Sequence, residues 1–170
     1  MRVFNKSDAS QILGGGSLDD FVDRLSQKLP IIEAAYAIPA DSGRKTALSR
    51  LIAYLLLGRA DACIYVSGWG VWRSAENLDL FYGYRRSIGE SRPLIEAPFH
   101  LFERSEEPSF VSILCLVLYF VWDAWVFDIG GKTLVKISHD EWLEVRADDV
   151  ESRKEFAAEL EKFELLLSAK

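Results

Sequence analysis

The stretch from Phe110 to Phe127 constrains this chain more than any other, because its apolar run is interrupted only by Ser112 and Asp123. The part before Asp123, Phe110 to Trp122, is 13 residues long. A membrane-spanning helix needs about 20 apolar residues, so the segment reads as a core element and no membrane association is expected. Ser105, Glu106, Glu107 and Pro108 precede it. A capping hydroxyl, two early carboxylates and a proline in the first turn are the signals that open a helix. The spacing predicts a helix over Pro108 to Phe120, apolar on nearly every face and therefore buried all round.

Beyond Asp123 the pattern shortens to strands: Ala124 to Asp128, Thr133 to Ile137 and Trp142 to Arg146. Gly130-Gly131 between the first two is a hairpin signal, and Ser138 to Glu141 is a polar turn before the third. Phe156, Leu160, Phe163 and Leu167 then give the inner stripe of a closing helix, about Val150 to Leu167.

Upstream of the apolar stretch, Gly14-Gly15-Gly16 breaks the chain and Ser17, Asp19 and Asp20 start a helix bearing Leu18, Phe21, Val22 and Leu25. It ends by Pro30, and Ile31 to Ile38 reads equally as helix or strand. Asp41 or Ser42 caps a second helix with Leu48, Leu51, Ile52 and Leu55 on one face and Gly58 past its end. Ala62 to Val66 is a strand and Ser67 to Gly70 a loop. Ser74 caps a third helix carrying Leu78 and Phe81, with Gly83 as a break before Ile88. Pro93 and Pro98 make Arg92 to Phe99 an irregular or edge segment. A local meander with helices on an antiparallel sheet is α+β, here a single globular domain over residues 1–170.

The net charge of −6 excludes broad phosphate-backbone binding, which needs a basic face, so no nucleic-acid partner is expected. An acidic surface suits solubility or a basic protein partner. Cys63 and Cys115 lie in apolar runs and read as core rather than as a disulfide or a nucleophile. Met1 to Lys6 has no signal-peptide core, which points to the cytoplasm.

Motifs for chemistry are sparse. Gly14-Gly15-Gly16-Ser17 lacks the lysine of a phosphate loop, and in Ser42-Gly43-Arg44-Lys45-Thr46 an arginine interrupts the motif. Both read as helix starts, and no cofactor is expected. His139-Asp140-Glu141, with His100 elsewhere, is the one constellation with acid–base or metal potential. Neighbouring side chains in a turn do not converge, so neither a metal site nor a catalytic residue is assigned. A pocket joining His139, Arg85 and Glu96 would favour a small enzyme or ligand-binding protein instead.

Two clusters suit recognition. Trp69-Gly70-Val71-Trp72-Arg73, followed by Arg85, offers the residue types enriched at binding hot spots, although both indoles could equally fold over the sheet edge as core. Asp140, Glu141 and Glu144 lead an acidic segment that could steer a basic partner or simply remain solvated. The partner-binding candidates are thus Trp69, Trp72, Arg73, Arg85, Asp140, Glu141 and Glu144.

The strings Trp72-Arg73-Ser74-Ala75-Glu76-Asn77, Leu94-Ile95-Glu96-Ala97-Pro98 and Ser138-His139-Asp140-Glu141-Trp142 resemble those of small bacterial proteins similar to polymorphic-toxin immunity proteins. The resemblance spans Ala62 to Val145. It implies a cytoplasmic inhibitor that binds one toxin domain and has no activity of its own.

Overall fold

A computed structural model describes residues 1–32, 35–69 and 76–162. Seven strands form one sheet, and every pairing in it is antiparallel. They are β1 (Arg2–Phe4), β2 (Tyr36–Ala37), β3 (Ala62–Gly68), β4 (Phe99–Phe102), β5 (Asp123–Asp128), β6 (Thr133–Ser138) and β7 (Trp142–Ala147), in the spatial order β1-β4-β3-β5-β6-β7-β2. Helices α1 (Lys6–Ile12) and α2 (Leu18–Lys28) lie on one face. On the other are α3 (Ser42–Leu57), α4 (Glu76–Ser87), α5 (Glu107–Tyr119) and α6 (Val150–Glu161). The class is α+β, and β5, β6 and β7 are the adjacent strands of the expected meander.

The helix starts follow from their caps. Ser17 accepts the Asp20 amide and Asp41, rather than Ser42, accepts the Arg44 amide, each satisfying a donor that the first turn leaves free. Asp149 does the same for Ser152 at the start of α6. Between α1 and α2, Gly14, Gly15 and Gly16 all take φ near +90°, a run that side chains with a Cβ resist.

Alternation along the strands feeds two cores. Ile64, Val66, Val126, Val135, Ile137 and Val145 point toward α3 to α6. Cys63, Tyr65, Phe99, Leu101, Phe127 and Leu134 meet Leu18, Val22, Leu25 and Leu29 of α2. The Tyr65 hydroxyl donates to Asp19 at 2.5 Å, tying that helix to the sheet.

Several expectations need correction. Residues 92–98 are irregular as expected, but Phe99 already opens strand β4, which lies inside the sheet between β1 and β3 rather than at an edge. The Pro98 carbonyl accepts the Val66 amide at 3.1 Å, so the proline joins the ladder through the one backbone group it has. Helix α4 runs through Gly83 without a break and stops before Gly89, whose φ is +88°. Helix α5 is not buried all round: Phe110, Ile113, Leu114, Val117 and Leu118 are buried, Cys115 and Leu116 are half-buried, and Tyr119 is exposed. Segment Ile31–Ile38 contributes the short edge strand β2. The expected cap Ser74 and the inner-stripe residues Phe163 and Leu167 lie outside the described residues.

Candidate functional site

The strand order brings the ends of β3 and β6 and the starts of β5 and β7 to one end of the sheet. There the register shifts between Val66 and Gly68, and Gly68 pairs with Asp123. A Cβ at Gly68 would lie 2.7 Å from Asp123 Oδ2, so glycine here leaves room for the Asp123 carboxylate in the position it holds. Trp69 follows at once, half-buried against the larger core.

Asp123 organises the opposite side of the same end. Its Oδ1 accepts the His139 backbone N–H at 2.9 Å, and both its oxygens lie 2.9 Å from His139 Nδ1. The Nε2 edge of the ring is 3.5 Å from Asp140 Oδ1. Glu141 takes φ +62°, while its amide donates to the Ser138 carbonyl and its own carbonyl accepts from Ile38. The turn is therefore pinned on both sides, and the Asp140 side chain, 68% exposed, projects outward.

The hydrogen bond to Asp123, joined by the charges of Asp123 and Asp140, raises the His139 pKa above its ordinary 6.5. The imidazolium clamp is thus complete below pH 6.5 and fades as pH rises through the raised value. An NMR titration is expected to find the His139 midpoint above 6.5, and Asp123→Asn to bring it back down. A midpoint at or below 6.5 in the unaltered protein would contradict the pairing.

Glu144 lies two residues into β7, and its carboxylate receives Arg146 Nε at 2.5 Å. Arg146 also donates to the carbonyls of Leu29 and Ser26 at the end of α2. Glu144 is consequently paired and only 20% exposed.

Arg85 belongs elsewhere. Although the sequence suggested a surface residue, its side chain is fully buried. The guanidinium lies 5.3 Å from the Phe81 ring and donates through Nη2 to the Ala97 carbonyl at 3.0 Å, while among the described residues Nε and Nη1 have no hydrogen-bond partner. Burial lowers its pKa. The buried His100 ring meets the same phenylalanine edge-on, with Nδ1 3.3 Å from the Ile64 carbonyl. Burial, with the Arg85 charge beside it, pushes the His100 pKa down to about 3, so the ring is neutral at pH 7.

The structure thus places Trp69, Asp140 and Glu141 at one sheet end, with Glu144 on the adjoining face, and buries Arg85 in the core. Trp72 and Arg73 lie outside the described residues. Sequence reasoning missed Asp123, which it read only as the end of the apolar run. It also missed Trp125, Lys136 and Trp142. In register, Trp125 faces Lys136 and Ser138 faces Trp142, and the Lys136 ammonium lies 5.1 and 5.3 Å from the two indole centroids.

Three clefts lie apart from this end. One of about 550 Å³ opens at the far end of β5, between Leu55, Arg59, Asp128, Lys132 and Ser152. It and two smaller clefts include none of His139, Arg85 or Glu96. Among the described residues, no three His, Cys, Asp or Glu side chains are placed to hold a metal ion, and no helix is long and apolar enough to cross a membrane. Compared with protein-family models, curated proteins and solved structures, the chain finds no match.

Proposed function

We propose that the protein is a protein-binding module, an immunity-type inhibitor that occupies a basic toxin domain in the cytoplasm and does no chemistry itself. The observation that carries this reading is the placement of Trp69 and the acidic turn at the same end of the sheet, where Asp123 pairs with Gly68 and accepts the His139 amide. An aromatic group and outward carboxylates at one end of a sheet supply both an anchor and a steering charge. The net charge of −6 extends the same field over the whole molecule.

The test is co-expression with the neighbouring reading frame, scoring complex formation and rescue from toxicity. Within such a complex, Asp140→Lys combined with Glu141→Lys is expected to weaken binding by roughly 10- to 100-fold, more at low salt than at high. Binding that is indifferent to both charge reversals would remove the acidic turn from the interface. Recovery of no protein partner would defeat the reading as a whole.

A second reading rests on the Asp123–His139 pair. A carboxylate 2.9 Å from Nδ1 orients the ring as a general base requires, with Nε2 3.5 Å from the exposed Asp140 carboxylate. A small-molecule activity lost in His139→Asn, with partner binding unchanged, would favour this enzyme.

A further inference from the structure

We propose that the half-buried face of the sheet beside α2 docks a basic protein through one arginine, which takes the place of Lys136 between the indoles of Trp125 and Trp142. The inference rests on the basic-partner reading above and deepens it by naming the surface and the side chain it admits.

Helix α2 covers only part of its face of the sheet. Phe127 and Leu134 pack under it, and Arg146 reaches its last carbonyls. One register step away, Trp125, Lys136 and Glu144 form a cross-strand row on β5, β6 and β7, with Trp142 on the diagonal. All four side chains are half-buried. Trp125 leans on the α2 core and Trp142 stands on β7, so the two rings flank a slot whose floor is the sheet itself.

The slot already holds a cation. Lys136 makes no ion pair among the described residues, and its ammonium is held by the two ring faces. An indole face attracts positive charge through its quadrupole, so the slot is selective for cations by construction. Lysine is the weaker occupant. Its ammonium is compact and strongly hydrated, whereas a guanidinium is planar, less hydrated and able to stack on both rings. Lys136 also sits on a flexible stem that can swing into water.

The rim matches such a guest. Asp140 and Glu141 stand at the turn just before Trp142, and Asp140 is largely exposed. These carboxylates can take the guanidinium N–H groups that the rings leave free. Arg146 paired with Glu144 shows the same chemistry within this face. An acidic segment would find Lys136 and an Arg146 already paired with Glu144 here, beside the carboxylates of the turn.

The test uses the full chain, labelled with 15N, and three probes: hexa-arginine, hexa-lysine and hexa-glutamate. Hexa-arginine is expected to shift the indole N–H signals of Trp125 and Trp142 to saturation and leave the buried Trp122 unmoved. It should bind about fivefold tighter than hexa-lysine. Trp142→Ala should weaken it about tenfold or more. Lys136→Met should tighten it several-fold by vacating the slot, and by more than Lys132→Met, which removes the same charge from the distant hairpin. That variant keeps the proposal testable even if Trp142→Ala folds poorly.

Saturable binding of hexa-glutamate at the two indoles would overturn the proposal. So would indole shifts that depend on protein concentration alone, which would mark a second copy as the occupant. Hexa-arginine binding that moves only the Asp140 and Glu141 amides, unaffected by Trp142→Ala or Lys136→Met, would remove the slot but keep the basic-partner reading. Failure of hexa-arginine to bind anywhere would count against both.

Discussion

Phe127→Ala is expected to destabilise the protein by about 3–5 kcal/mol, the range for emptying a fully buried phenylalanine site. The ring is wholly buried, 5.5 Å from Phe21 and 6.2 Å from Phe99, at the point where α2 meets the sheet. The core beneath α2 is the smaller of the two, so few neighbours are available to collapse into the space. A typical domain has about 5–15 kcal/mol in total, which makes this loss a large share. Denaturant titration measures it directly. A loss below about 1 kcal/mol would mean that α2 is not packed on the sheet as described.

Acid is expected to destabilise the protein through His100 well before the carboxylates titrate. The imidazole of the unfolded chain takes up its proton near 6.5, but burial holds the folded one at about 3. Between those values the unfolded state binds one more proton, so stability falls as pH falls. At 1.36 kcal/mol per unit the loss is about 2 kcal/mol by pH 5 and on the order of 4–5 kcal/mol by pH 3. His139 does not cloud the window from 6.5 to 5, because its raised pKa acts only above 6.5. Glu90, held down to about 2 chiefly by its hydrogen bonds from Arg92, adds its own loss only below its ordinary 4.5. Urea midpoints at pH 6.5 and pH 5 should therefore differ in the parent protein and converge in His100→Leu, whatever that variant's absolute stability. A flat parent profile across this window would contradict a sealed, neutral His100.

The parts of the fold that could be read from the sequence are those set by near neighbours. Ser17 and Asp41 cap helices through amides three residues on, and Gly130-Gly131 turns a hairpin between adjacent strands. Strands β1, β2 and β4 have only three, two and four residues, and distant segments hold them in place. Arg2 pairs with Leu101, a contact that no local pattern announces. Arg85 was misread because arginine is ordinarily exposed. The contrary signal was present: Arg85 follows Phe81 by four residues, which places both on one helix face.

The site divides in the same way. The acidic turn and Trp69 stood out by composition, but their placement at one sheet end depends on the β3–β5 pairing, where glycine leaves room for the Asp123 carboxylate. Trp125, Lys136 and Trp142 were hidden for a different reason. Each looks like an ordinary strand residue, and only the cross-strand register reveals that they share a face.

The shortness of the two outermost strands has a consequence for how any partner must bind. β1 offers three residues and β2 two, so neither rim gives a visiting chain a long row of unpaired amides and carbonyls to copy. Recruitment by strand addition, and with it the stacking of copies edge to edge into fibrils, is disfavoured. What remains for contact is side-chain chemistry on the sheet's end and face, which can tell one protein from another in a way that a bare backbone edge does not.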